Sequence, residues 1–96
     1  MDFLVCYDVS TETKAGQRRL RRVANVCKSY GQRVQKSVFE CRVDEKEWLK
    51  MERRLVDEID ENRDSLRIYR LHAPRDRAVT VYGLDNYFDP DSPLII

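Results

Sequence analysis

Histidine, glycine and proline are scarce in this chain, at one, three and three copies among 96 residues, and no apolar run is long enough to span a bilayer. So few glycines leave no phosphate-cradling loop, which disfavours a small-ligand domain built on one. The three cysteines, Cys6, Cys27 and Cys41, are odd in number and too widely spaced for a metal-binding pair. Neither a zinc site nor a complete disulfide framework is expected, and the three read as small buried apolar residues. Internal repeats and low-complexity segments are missing, as are the n-region and h-region of a secretory signal. These absences point to a protein of a soluble, reducing compartment, the cytoplasm, with no membrane association.

Charge is plentiful, and its distribution says more than its sum. The formal net charge is +1. Residues 1–12 carry three acids and no base, whereas residues 13–43 carry nine bases against Glu40 alone. Residues 44–64 carry nine acids and five bases, and the remainder balances. A basic segment beside an acidic one is an electrostatic footprint for a polyanion even in a nearly neutral protein. A chain of this length makes one domain and buries only roughly 60–65% of the surface its unfolded form exposes, so help from a second copy is expected.

Residues 3–9 form an apolar strand with Phe3, Val5, Tyr7 and Val9 on one side and Leu4 and Cys6 on the other, a pattern for a central strand covered twice. From about Thr13 the period becomes helical, with Leu20, Val23, Ala24, Cys27 and Tyr30 as the apolar stripe and Gly31 as a left-handed stop. Residues 33–43 alternate again, with a bend near Lys36 that would make two strands. Asp44 and Glu47 have the spacing of a capping box, Val43 can staple onto Trp48, and Trp48, Met51, Leu55, Val56 and Ile59 line the buried face of a second helix. Strands follow at 66–71 and 79–82, separated by a turn at 73–76. The predicted fold is α+β: a ferredoxin-like βαββαβ sandwich over residues 1–83 with an additional C-terminal strand. Residues 84–96 are expected as a tail packing on its own or a partner subunit. Two helices cover only one sheet face, so the doubly apolar first strand predicts an isologous homodimer.

Asp8 ends the first strand just ahead of a helix carrying Lys14, Arg18, Arg19, Arg21 and Arg22. Magnesium uses one or two carboxylates together with substrate phosphates, and arginine forks hold phosphate oxygens, so this grouping fits a nucleic-acid backbone as ligand. Asp8 equally suits an Asx turn. One carboxylate binds Mg²⁺ weakly, but Asp8 from two chains near a twofold axis would share an ion, making catalysis dimer-dependent. His72, before Ala73-Pro74, reads as a surface residue, and Glu40 as a partner of Arg42 or Arg33.

The stretches VCYDVS at 5–10, RRVA at 21–24 and GQRVQKSVFE at 31–40 resemble the CRISPR-associated protein two family, in order along the whole chain. Lys36 stands where the family often has an aromatic, and the segment after Asp8 is longer here. The resemblance implies a homodimeric antiviral-defence protein that bridges integrase dimers during spacer acquisition and cleaves RNA or double-stranded DNA with Mg²⁺ or another divalent cation. It makes Asp8 the metal ligand and a catalytic residue, with Arg22 and Arg33 contacting the backbone and Ser37 and Phe39 flanking the site. A non-catalytic scaffold presenting Lys14, Arg18, Arg19, Arg21 and Arg22 to duplex DNA is the rival reading. An RNA-recognition module is disfavoured, because the strands lack a glycine-aromatic stacking platform.

Overall fold

A computed structural model of the chain describes residues 1–89. The elements run β1 (Asp2–Asp8), α1 (Lys14–Tyr30), β2 (Gly31–Gln35), β3 (Val38–Arg42), α2 (Glu45–Glu58), β4 (Ser65–Leu71) and a single-turn α3 (Arg75–Ala78). The sheet order is β2-β3-β1-β4, with every neighbouring pair antiparallel. The apolar β1 is central, as its composition requires. Side chains alternate faces along a strand, so the register sorts them. Phe3, Val5, Tyr7, Phe39 and Cys41 are buried beneath the helices, with Leu66 and Ile68 packed against them. Leu4, Cys6 and Val38 lie half-buried on the opposite face. This is the α+β, ferredoxin-like arrangement.

Both helices are fastened at their starts and glued by apolar contact. The Thr13 hydroxyl accepts the Gly16 N–H at 3.0 Å, and Asp44 and Glu47 form a reciprocal capping box. Val23, Ala24, Val26 and Cys27 of α1 and Trp48, Met51 and Leu55 of α2 complete the core, and the Trp48 ring stacks on Phe3 with centroids 3.9 Å apart. Burying each of the larger side chains contributes roughly 1.5–3 kcal/mol. Burial also raises the Cys27 and Cys41 thiols to about 12, so both behave as inert apolar filler; all three cysteines are free.

Four expectations need correction. Gly31 is not a left-handed stop: its backbone is extended (φ −156°) and it is already the first residue of β2, so α1 enters the strand without a loop. Glycine is required there by crowding, because a Cβ would meet Cys41 Sγ and the Glu40 carbonyl. Val56 is exposed rather than part of the α2 apolar face. Pro74 starts the turn of α3 where a plain turn was expected. Residues 79–82 form no strand: 79–82 and 84–86 border a cavity shared with Leu4, Val38 and Glu40, and a segment laid on a sheet face finds no ladder partner. The additional C-terminal strand is therefore absent among the described residues, and 90–96 lie outside them.

Candidate nucleic-acid interface

Asp8 is the last residue of β1, paired in register with Ser65, and its carboxylate is exposed. It shares strand parity with Leu4 and Cys6, which places it on the side the helices leave open. Among the described residues it takes part in no ion pair. No group of three or more histidine, cysteine or acidic side chains able to hold a metal occurs among them either. The metal donor set of one chain at this point is thus a single carboxylate.

The basic residues of α1 divide into two kinds. Lys14, Arg18 and Arg21 are exposed and form no ion pair among the described residues, and Arg22 only brushes Glu58 at 4.0 Å. Exposed pairs of that sort contribute little, so these four cations remain at the disposal of a polyanion. Arg19 is committed elsewhere. Its Nε and Nη2 donate to the Asp64 carboxylate at 2.9 and 3.3 Å, and the same carboxylate accepts the Ser10 N–H at 3.1 Å and the Asp60 N–H at 2.8 Å. Burial alone would raise the Asp64 pKa, but the Arg19 guanidinium and these two N–H groups outweigh it and hold the carboxyl below its usual range. The knot ties the segment just after Asp8 to the approach of β4. Nothing in the spacing of Asp64 announces it, because Arg19 and Ser10 lie 45 and 54 residues away.

Arg33, Ser37 and Phe39 sit on the other side of the sheet. Phe39 is 0% exposed, so it touches the core rather than a ligand, and the Arg33 guanidinium lies 5.2 Å from its ring centroid. Burial raises the Tyr7 hydroxyl's pKa, and the Arg33 guanidinium works in the opposite direction without reversing it. Ser37, in the β2–β3 turn, accepts the Tyr7 N–H through its carbonyl at 3.1 Å. Tyr7 and Asp8 are neighbours of opposite parity, so one chain does not gather Asp8, Arg33 and Phe39 around a point. His72 is exposed, as expected. Glu40 pairs with neither Arg42 nor Arg33: it is buried and gripped by Arg75 through a fork at 2.8 and 3.2 Å.

No helix among the described residues is long and apolar enough to cross a membrane. The model of the CRISPR associated protein Cas2 family matches residues 1–79. The chain is 54% identical, over the full length of both proteins, to a protein of Moorella thermoacetica named CRISPR-associated endoribonuclease Cas2 1. It is 47% identical over 92 residues, 96% of each chain, to one of Halalkalibacterium halodurans named CRISPR-associated endonuclease Cas2. The crystal structure of Streptococcus pyogenes Cas2 superimposes with a TM-score of 0.75 and 52% identity, covering 86% of this chain and all of that one. A fold with these proportions, a carboxylate ending its first strand and an arginine-rich first helix thus comes with close relatives along nearly all of its length, and the chain belongs to the CRISPR associated protein Cas2 family.

Proposed function

We propose that this protein is a metal-dependent endonuclease of CRISPR adaptation, cleaving phosphodiester bonds of RNA or double-stranded DNA as a homodimer and bridging integrase subunits in the cytoplasm. The observation that carries the reading is the exposed, unpaired Asp8 at the end of β1, close in sequence to free cations of α1. Two relatives named as an endoribonuclease and an endonuclease support nuclease chemistry.

The donor set fits Mg²⁺ only in a shared form. One carboxylate per chain, completed by the Asp8 of a second copy and by substrate phosphates, is a normal magnesium environment. Two features favour such a pairing: Asp8 belongs to the sheet side that α1 and α2 leave open, and Tyr82 and Leu84, in the segment that borders that side, stand 92% and 94% exposed. When bound, the ion would lower the pKa of water and offset charge on the scissile phosphate. The chain's own work is to hold two acids in register and to steady the backbone with Arg22 of α1, since Arg33 lies on the helix side of the sheet. Replacing Asp8 with Ala should cut Mg²⁺-dependent cleavage of RNA and duplex DNA by about two to three orders of magnitude while duplex affinity stays level. Undiminished cleavage by that variant would remove Asp8 from the chemistry.

The scaffold reading has its own support, since one chain offers a single acid and several free arginines. In that reading Arg18→Ala with Arg22→Ala lowers duplex affinity uniformly across sequences, and the slope of log affinity against log salt falls by about 0.9 per lost phosphate contact. A filter-binding titration at several salt concentrations reads that slope, and an unchanged value would take α1 out of the interface.

A further inference from the structure

A second cationic feature lies on the helix side of the sheet, away from Asp8. Between α1 and the β2–β3 turn opens a cavity of about 320 Å³. Arg21 and Lys28 border it from the helix and Arg33 and Lys36 from the hairpin, and no carboxylate lines it. None of these four cations forms an ion pair among the described residues. Leu20 and Ala24 give it an apolar wall, and the amides of Gln17 and Asn25 add hydrogen-bonding edges. The Arg33 guanidinium is set in place before any ligand arrives by the Phe39 ring beneath it, 5.2 Å from the ring centroid.

We propose that this pocket binds the terminal phosphomonoester of a nucleotide, as carried by the end of a nucleic-acid strand. The size admits about one nucleotide and not a duplex, being at the lower limit of small-ligand sites. The charge chooses the kind of phosphate. An internal phosphodiester carries one negative charge, whereas a terminal phosphomonoester carries about 1.5 to 2 at neutral pH, which better matches four uncompensated cations. The apolar wall and the amides suit a sugar and base rather than a bare inorganic anion. A fixed guanidinium adds affinity because little side-chain freedom is lost on binding. The site uses neither Asp8 nor a metal, so it stands whether or not the protein cleaves.

The test is fluorescence anisotropy in EDTA, with short single strands ending in phosphate or hydroxyl at the 5′ or the 3′ end. The full-length protein should bind at least one phosphorylated end about ten-fold tighter than its hydroxyl counterpart. Lys28→Gln combined with Lys36→Gln, both at exposed positions, should erase that ratio. The ratio is the readout, because removing positive charge weakens all nucleic-acid binding to some degree. Asp8→Ala should keep the preference, so failure of the nuclease reading and failure of this one are separable. Displacement of the phosphorylated strand by AMP and not by adenosine would assign recognition to the nucleotide itself; a preference without AMP displacement would assign it to the strand end, and either upholds the pocket. Equal binding of phosphate and hydroxyl ends, a preference that survives the double substitution, or displacement by adenosine as effective as by AMP would overturn it.

Discussion

On the face of the sheet covered by α1 and α2, Phe3, Val5, Tyr7, Phe39 and Cys41 are buried by shape alone, methyl against ring, with Trp48 and Leu55 closing over them. One residue along the same strands the other face is held differently. There Glu40 is buried in the fork of Arg75, and that same guanidinium lies 3.9 Å from the Tyr87 ring centroid and reaches Asp85 at 3.4 Å. Asn86 donates to the Val34 carbonyl, and Gln32 both donates to and accepts from the backbone of Phe88. Dispersion and desolvation scale with area and bind the helices to the sheet as one cooperative unit. A strap made of directional polar contacts over a half-buried surface can be released without unfolding what lies under it.

The sharpest way to break this contrast is to strike each face in turn. Phe39→Ala removes a fully buried ring from the helix side and should lower the unfolding free energy by about 3–5 kcal/mol in urea titration, with all probes moving together. Asp64→Ala leaves Arg19 and two backbone N–H groups without their acceptor and should cost about 3 kcal/mol. Because the folded Asp64 pKa lies below its ordinary value of 3.8, the stabilisation is complete above that value and is lost as pH falls through the folded pKa. Urea titrations of the wild type and this variant should therefore differ at neutral pH and converge in stronger acid. Arg75→Ala should cost less, about 2 kcal/mol, and should do so locally. Hydrogen exchange would accelerate at residues 79–89 and at Glu40 while the amides of β1 stay protected. A uniform loss of protection would show that the strap belongs to the global unit after all.

Much of the fold was legible because it rests on local rules. The doubly apolar β1, the stripe from Leu20 to Tyr30 and the Asp44–Glu47 box each announce themselves within one window of sequence, and each is where the pattern puts it. Phe39 was visible as an inward position of an alternating strand, but the same alternation cannot tell a core ring from one that flanks a site. Residues 79–82 mislead for a related reason: Val79, Val81 and Tyr82 have strand composition, while strandhood depends on a free edge that composition does not reveal. The basic character of α1 was equally plain. That Arg19 would be withdrawn from it by Asp64, and Glu40 claimed by Arg75 rather than a strand neighbour, depends on contacts 45 and 35 residues apart. The pocket between α1 and the hairpin was hidden likewise, since Lys28 and Lys36 meet only after the chain has turned back on itself.

The loopless passage from α1 into β2 at Gly31 has an evolutionary corollary. Most connections tolerate inserted or deleted residues, but here a single insertion on the helix side would rotate everything before it by about 100°, and one on the strand side would exchange the inner and outer rows of β2. Length variation among sequences of this kind should consequently be confined to the segment between Asp8 and Thr13 and to the region after β4, with the stretch from Thr13 to Gln35 keeping a constant count.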